Sequence, residues 1–428
     1  MSWIALKMLV GDRAKFYGIV MGLTFAALLI TQQGSIFCGL MLRTAGQISD
    51  ITGADLWVMD PNVRFIDDVK PMIENNLYRV RGVEGVLWAV PLYKGNARAK
   101  LNSTGYDGTR HEVIEQIILL GLDDTSMVGA PPPQRILEGD LINLRKPDAV
   151  MVDSTRLQKL YPGEDWGLLE ANGKLATSLS KEVQARFLAA YGSIPAGDDG
   201  RVKFFKTFIG RDLEMNDRRA VIVAVCEATR TFQSNAVFYT TYSRAKQYAP
   251  QERKVLSYIL AKTEPGLAPQ DVAKRITEQT DLGAKTSDEF TWMTIDYYLK
   301  YTGIPINFGI TAVLGFLVGT AIAGQTFYNF TLENLKQFGA LKAMGATNLT
   351  IVRMILLQAT VVGLLGYGIG VGAAALFGAR SKGTELAFYT PWQLLPITGV
   401  AVVFICMLAS ILSVRRVIVL EPAVVFRG

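Results

Sequence analysis

The sequence predicts a membrane α-helical fold: four transmembrane helices, with a large extracytoplasmic α/β domain inserted between helices 1 and 2. Three observations carry that expectation. First, four long stretches contain no charged residue, at positions 16–42, 301–332, 354–379 and 386–414. A hydrocarbon core about 30 Å thick takes ~20 mostly apolar helical residues to cross, so each stretch is long enough. Second, residues 43–300 separate the first stretch from the other three, and that insert is charged and mixed in composition. Third, 50% of the residues are hydrophobic while 19% are still charged, as expected of a membrane bundle joined to a water-soluble domain.

Residues 1–15 interleave Trp3, Ile4, Leu6, Met8, Leu9 and Val10 with Lys7, Asp12, Arg13 and Lys15, which predicts a short interfacial helix before the first span. Residues 16–42 are expected to be a retained span rather than a signal peptide. The apolar run is too long, and no small-x-small cleavage site follows it cleanly. Gln32 and Gln33 in its outer half are expected to bond across helices.

In the insert, residues 54–59, 86–93, 113–122, 220–226 and 257–262 read as strands. Residues 67–80 and 269–280 carry apolar side chains at helical spacing. The alternation predicts a split α/β domain of the βαβ type over residues 43–300. A stretch richer in Gly, Asp and Lys, about 163–218, is expected to be an inserted subdomain. Pro131, Pro132 and Pro133 form a stiff extended connector.

The second span, 301–332, would extend ~48 Å as one helix. It must therefore tilt or continue out of the membrane as a stalk. Gly315 and Gly319 are four apart in it, as are Gly366 and Gly370 in the third span. Small residues at that spacing let helix backbones approach closely. Packing within one chain and a dimer interface both remain open.

Basic residues set the orientation. Lys7, Arg13 and Lys15, then Lys336, Lys342 and Arg353, then Arg415, Arg416 and Arg427 fall on one face if the spans alternate. That face is expected to be cytoplasmic, with both termini there and the insert outside. The net charge of +6 is thereby assigned to span flanks rather than to nucleic-acid binding. Cys38, Cys226 and Cys406 have no metal-ligand spacing, and His111 has no nearby partner, so no metal site is expected. Asp153 and Glu164 have no recognisable catalytic partner spacing.

The decisive segment is 333–353, between the second and third spans. Leu335, Phe338, Leu341 and Met344 recur every three residues, which predicts an amphipathic helix with one apolar face. Gly345 suits a helix stop with φ > 0, and Thr347 or Asn348 suits the cap of the next helix. Alone, this reads as an interfacial anchor or a docking site for a soluble partner.

The run Glu-x-x-x-x-Phe-Gly-Ala-Leu-Lys-Ala-Met-Gly-Ala-Thr, from Glu333 to Thr347, resembles the cytoplasmic loop of FtsX-like ABC-transporter permeases of the MacB type. Gly339 stands where that family has Ile or Leu, and Lys342 where Arg is common. The ending Leu420-Glu421-Pro422-Ala423 and the one-plus-three order of spans are also similar to the family, within which the chain resembles the DevC-type exporters.

The resemblance implies a permease split from its ATPase, in the bacterial inner membrane. The chain has no Gly-x-x-x-x-Gly-Lys-Ser/Thr loop, so ATP would be hydrolysed by a partner ABC ATPase, with no cofactor held here and no enzyme activity. It implies ATPase coupling through Glu333, Lys336, Phe338, Gly339, Leu341, Lys342, Met344 and Gly345. It also implies a second permease copy, and efflux of a lipid-like or hydrophobic cargo with a membrane-fusion partner and an outer-membrane channel. A regulator of an outer hydrolase or sensor, or a lipoprotein-releasing permease, are the alternatives.

Overall fold

The computed structural model describes residues 2–104, 110–161, 205–249, 256–381, 384 and 386–418. It divides into two compact units. One comprises residues 1–40 and 303–428, the other residues 41–302.

The first unit is helical. It contains α1 (Ser2–Gly11), most of α2 (Arg13–Thr44), α9 (Ile304–Glu333), α10 (Leu335–Ala343), α11 (Asn348–Arg380) and α12 (Leu394–Ile418). Among the described residues, four helices are long and apolar enough to cross a membrane: α2, α9, α11 and α12. Their common core holds Leu23, Ala26, Ala27, Ala323, Phe327, Val362, Ile405 and Ala409.

The spans shift from their expected limits for local reasons. The preceding helix stops at Tyr301, and α9 starts afresh at Ile304 with Pro305 in its first turn, where the missing N–H costs nothing. The charge-free run 301–332 is thus one helix from Ile304, preceded by a break at residues 302–303. Residues 386–393 are apolar but not helical, because Pro391 precedes a turn and α12 begins only at Leu394. This non-helical stretch lies on α2. Tyr389 N–H donates to the Ser35 carbonyl at 3.0 Å, and a Cβ on Gly39 would stand 2.7 Å from the Ala387 backbone.

The second unit is an α/β sheet domain between α2 and α9 in sequence. Its elements are α3 (Gly46–Asp50), β1 (Leu56–Met59), α4 (Asn75–Arg81), β2 (Val86–Thr104), β3 (Arg110–Leu122), β4 (Ile136–Gly139), β5 (Ala149–Asp153), α5 (Leu157–Leu160), β6 (Asp212–Met215), β7 (Arg218–Cys226), β8 (Ala236–Thr241), α6 (Tyr242–Tyr248), β9 (Tyr258–Thr263), α7 (Pro269–Thr280), β10 (Gly283–Thr286) and α8 (Ser287–Tyr301). The ten described strands run β10-β1-β9-β2-β3-β8-β5-β7-β4, with β6 bridging β2 and β7.

β1 and β2 both pair antiparallel with β9, so the β1-α4-β2 unit is parallel with β9 between its strands. β9-α7-β10 is built the same way around β1. Two interlocked split βαβ units result, where the alternation of strand and helix signals predicts a split domain of the βαβ type without its strand order. The remaining strands are mostly antiparallel, apart from the parallel pairs β3·β8 and β5·β7. One helix is shorter than its periodicity predicts. Pro71 disfavours helix at Lys70, Met72 is instead bridged to Leu256, and α4 starts only at Asn75. The inserted subdomain expected at 163–218 lies outside the described residues up to position 204, and Asp212–Met215 within it form β6.

The two ends of the sheet domain that lead to the spans are fixed to it. α8 begins with a capping box: Thr286 Oγ1 accepts from Glu289 N–H at 3.2 Å, and Glu289 accepts from Thr286 N–H at 2.9 Å. Its aromatic face packs on β1 through Trp57–Phe290 at 5.3 Å, and on the loops after β1 and before β8 through Phe65–Tyr297 stacked at 4.1 Å and Phe232–Tyr298 at 4.9 Å. α3 touches α8 and ends on Asp50, which is buried. The Asp50 carboxylate accepts from Thr229 N–H at 2.6 Å, from the Thr229 hydroxyl and from Arg135 Nη1. Gly46 is needed there, because a Cβ would stand 2.6 Å from the Thr229 methyl.

Asp153, at the end of β5, grips the same stretch. Its carboxylate accepts from Ala228 N–H at 3.2 Å, Thr155 N–H at 3.0 Å and Thr155 Oγ1 at 2.6 Å. Burial raises its pKa to about 6, against hydrogen bonds that oppose the rise. A carboxyl raised in the folded state binds its proton more tightly there than in the unfolded chain. Its stabilisation is therefore full below the unfolded value near 4 and is lost as pH rises through about 6. Asp153→Asn keeps the acceptor for both N–H groups and has no charge to bury. We expect it to melt higher than the wild type at neutral pH, by up to about 3 kcal/mol, and the difference to vanish below pH ~4. Thermal unfolding of the full chain in detergent across that range checks it.

Candidate functional site: the α9–α10–α11 turn

The connection between α9 and α11 is built from one hinge residue, one short helix and one tight turn. Asn334 ends α9 and starts α10, with φ −88° and ψ 7°. Its backbone N–H and its side-chain amide both donate to the Phe330 carbonyl, at 3.2 and 2.8 Å, so main chain and side chain together close the end of α9. α10 then ends in a Schellman turn. Gly345 N–H donates to Lys342 O at 3.0 Å and Ala346 N–H to Leu341 O at 3.0 Å. Gly345 adopts φ +96°, a conformation side chains with a Cβ resist. Thr347 caps α11, its hydroxyl accepting from Thr350 N–H at 3.3 Å. Glycine stop and threonine cap thus take the roles their chemistry predicts.

α10 is held by its apolar face. Phe338 and Leu341 are buried against Ala5 of α1 and against Ile351, Met354 and Ile355 of α11. Leu335 and Ala346 pack on the same cluster, and Gly339 is buried. Gln358, fully buried in α11, donates from Nε2 to the Ala5 carbonyl at 2.7 Å and so ties α1 to α11.

Met344 departs from the expected face. The helix ends at Ala343, so the three-residue spacing no longer points inward, and Met344 is 76% exposed. Lys336 and Gln337 are exposed, Lys342 is half-buried, and Leu349 beyond the turn is 59% exposed. Glu333 is exposed and pairs with Lys15 at the start of α2, while Lys15 also holds Asp12 at 2.6 Å. The eight expected residues therefore separate into a buried set (Phe338, Gly339, Leu341) and a set at or near the surface (Glu333, Lys336, Lys342, Met344, Gly345).

The paired glycines meet α2 of the same chain. A Cβ on Gly319 would stand 2.4 Å from Ala26 Cβ, and one on Gly315 would stand 3.2 Å from Leu29 Cβ. A Cβ on Gly366 would stand 2.6 Å from Leu23 Cβ, and one on Gly370 would stand 2.7 Å from both Ala27 Cβ and Thr24 O. Polar contacts across the bundle come from Thr31 to Thr398 at 3.3 Å and Ser35 to Thr390 at 2.8 Å. Spacing does not single these residues out, because each partner lies hundreds of positions away.

Residues 309–422 match the family model described as FtsX-like permease C-terminal. An uncharacterized ABC transporter permease of Mycobacterium bovis is 34% identical over 119 residues, which cover 28% of this chain and 33% of that protein. Another, from Mycobacterium tuberculosis, is 31% identical over 122 residues, covering 28% and 34%. The matched stretch thus spans about a third of the length of these relatives. Among solved structures, the periplasmic region of MacB from Actinobacillus actinomycetemcomitans is similar at TM-score 0.35 and 12% identity, covering 60% of this chain and 96% of that one. The extracellular domain of the ABC-type transporter YknZ from Gram-positive bacteria is similar at TM-score 0.30 and 11% identity, covering 54% and 98%.

The turn makes a sharp prediction. No atom lies within 4 Å of where a Gly345 Cβ would be, so a substitution there is strained by backbone conformation alone. Gly345→Val is expected to cost about 1–3 kcal/mol locally and to fray α10, whereas Gly345→Asn, which tolerates positive φ, is expected to hold it. Hydrogen exchange over residues 335–347 of the full chain distinguishes the two.

Proposed function

We propose that this chain is the permease subunit of an ABC transporter of the FtsX/MacB type, with ATP hydrolysed by a separate subunit. The observation that carries the reading is the turn within the matched region. A short helix is clamped on its apolar face, closed by a rigid cap, and presents Lys336, Met344 and Leu349 outward. That is a firm, convex element for a soluble partner to push.

The reading continues as mechanical coupling. α10 packs on α1 and α11, and α2 is in close backbone contact with α9 and α11. A displacement at α10 therefore acts on a bundle whose packing resists bending. Through chain connectivity it enters the sheet domain at α3 and α8, the two elements that touch each other and are fixed by the Asp50 carboxylate and the α8 aromatic face. Rigid-body coupling of this kind moves one two-state element by another. The bundle core is largely apolar, with buried Thr, Ser and Gln side chains but no charged one among the described residues, which favours work done on the outer domain over passage of a charged cargo through one chain.

The finer parts of the proposal grow out of that mechanics. The ATPase docks on the exposed side of the 333–353 segment on the cytoplasmic face of the inner membrane, and the sheet domain lies outside. A second permease copy completes the unit. The cargo is lipid-like or hydrophobic, passed to a membrane-fusion partner.

The test uses the exposed and buried sets against each other. With the cognate ATPase co-expressed, Met344→Asp and Lys336→Glu are expected to leave melting of the permease within about 0.5 kcal/mol, as surface changes do. Both are expected to weaken ATPase co-purification and coupled hydrolysis by tenfold or more, about 1.4 kcal/mol or more of docking energy. Leu341→Asp buries an unpaired charge and is expected to loosen α10 itself by several kcal/mol. Full ATPase binding and coupling by the two surface variants would contradict the assignment.

A further inference from the structure

We propose that the outward face of α1, formed by Trp3, Lys7 and Val10 with the adjoining Arg13, binds anionic phospholipid headgroups in the leaflet at the N-terminal end of α2. α1 has two distinct sides. Ala5 and Leu9 are fully buried against the bundle, and the Gln358 bond to the Ala5 carbonyl fixes the helix in place. The other side is open, with Trp3 69% and Val10 54% exposed and Lys7 exposed between them.

Three observations choose lipid as the occupant. The first is continuity. Positions 3, 7 and 10 are followed, beyond the break at Asp12, by Tyr17 and Met21 of α2, which are 61% and 68% exposed on a helix of spanning length. Only Asp12 separates α1 from α2, so α1 starts within reach of the headgroup layer.

The second is charge. Asp12 is the one acid in residues 2–15, and Lys15 holds it at 2.6 Å while also pairing with Glu333, so one negative charge is left over against Lys7 and Arg13. Lys7 and Arg13 therefore leave this end of the chain positive, which anionic headgroups attract. The third is side-chain type. Lys7 Nζ sits 4.6 Å over the Trp3 ring centroid, so an indole and an ammonium are presented together. An amphipathic ring and a long basic side chain are the pair that settles where hydrocarbon meets headgroup. A soluble protein bound at this face would have to leave the apolar stripe where it enters α2.

The inference rests on α2 spanning the membrane and does not depend on which ATPase the permease serves. The test places the full chain in nanodiscs of phosphatidylcholine alone or mixed with phosphatidylglycerol. Brominated acyl chains quench tryptophan, and the wild type minus Trp3→Phe difference isolates Trp3. Hydrogen exchange over residues 2–11 reads the anchoring of α1.

The expected result is quenching of Trp3, with exchange in α1 slowed on the order of tenfold by phosphatidylglycerol. That slowing should be lost in Lys7→Gln/Arg13→Gln while exchange around Gln358 is unchanged. An unquenched Trp3 would overturn the proposal. So would quenching with no dependence on phosphatidylglycerol, which is apolar contact only, and so would protection of α1 that appears only with a co-purified protein.

Discussion

Close backbone contact around α2 is the constraint on which the rest depends. Lipid tails are as apolar as the side chains they touch, so burial gives helices little reason to associate inside a membrane, and packing at small residues decides instead. Here much of that small-residue packing falls on α2, while α9 and α11 also pack on α12. Gly315 and Gly319 of α9 and Gly366 and Gly370 of α11 each bring a backbone onto α2 where a Cβ would not fit without movement. α2 returns the contact with Gly22 on Ile322, Gly34 on Leu394 and Gly39 on the Ala387 backbone. The helix that precedes the inserted domain is thus the strut against which the later spans are set.

This arrangement gives the α9–α11 turn its character. A loop on a loosely packed bundle would yield when pushed. α10 instead rests on Phe338 and Leu341, which reach α1 and α11, and its end is fixed by two backbone hydrogen bonds and a residue at positive φ. The insert is anchored by different chemistry, suited to water: a buried carboxylate with hydroxyl, amide and guanidinium donors at α3, and stacked aromatic rings at α8. Apolar clamping holds the turn in one unit, and polar latching with stacked rings holds the ends of the insert in the other.

Much of this was legible in the sequence because its causes are local. Four charge-free runs, the alternation of strand and helix signals, the Gly345 stop and the cap at Thr347 each arise from neighbours within a few residues. What was hidden depends on distant partners. The Gly-x-x-x-Gly pairs announce close contact, but the same spacing serves one chain or two, and only the fold shows α2 beneath them. Asp50, Thr229 and Arg135 lie far apart in the chain, as do Gln358 and Ala5. Periodicity misled at Met344, where the helix had already ended, and at residues 67–80, where Pro71 overrides the apolar spacing. The span limits moved for the same reason at Pro391.

The central claim is that the outward side of the α10 turn meets a separate ATPase. The most direct measurement is crosslinking mass spectrometry on the full chain purified under mild conditions from its native membrane. The account predicts crosslinks from Lys336, exposed on α10, to an ABC ATPase subunit, and none to that subunit from Lys285 on β10 of the sheet domain. An ATPase absent from the crosslinked material, or attached through the sheet domain instead, would contradict it.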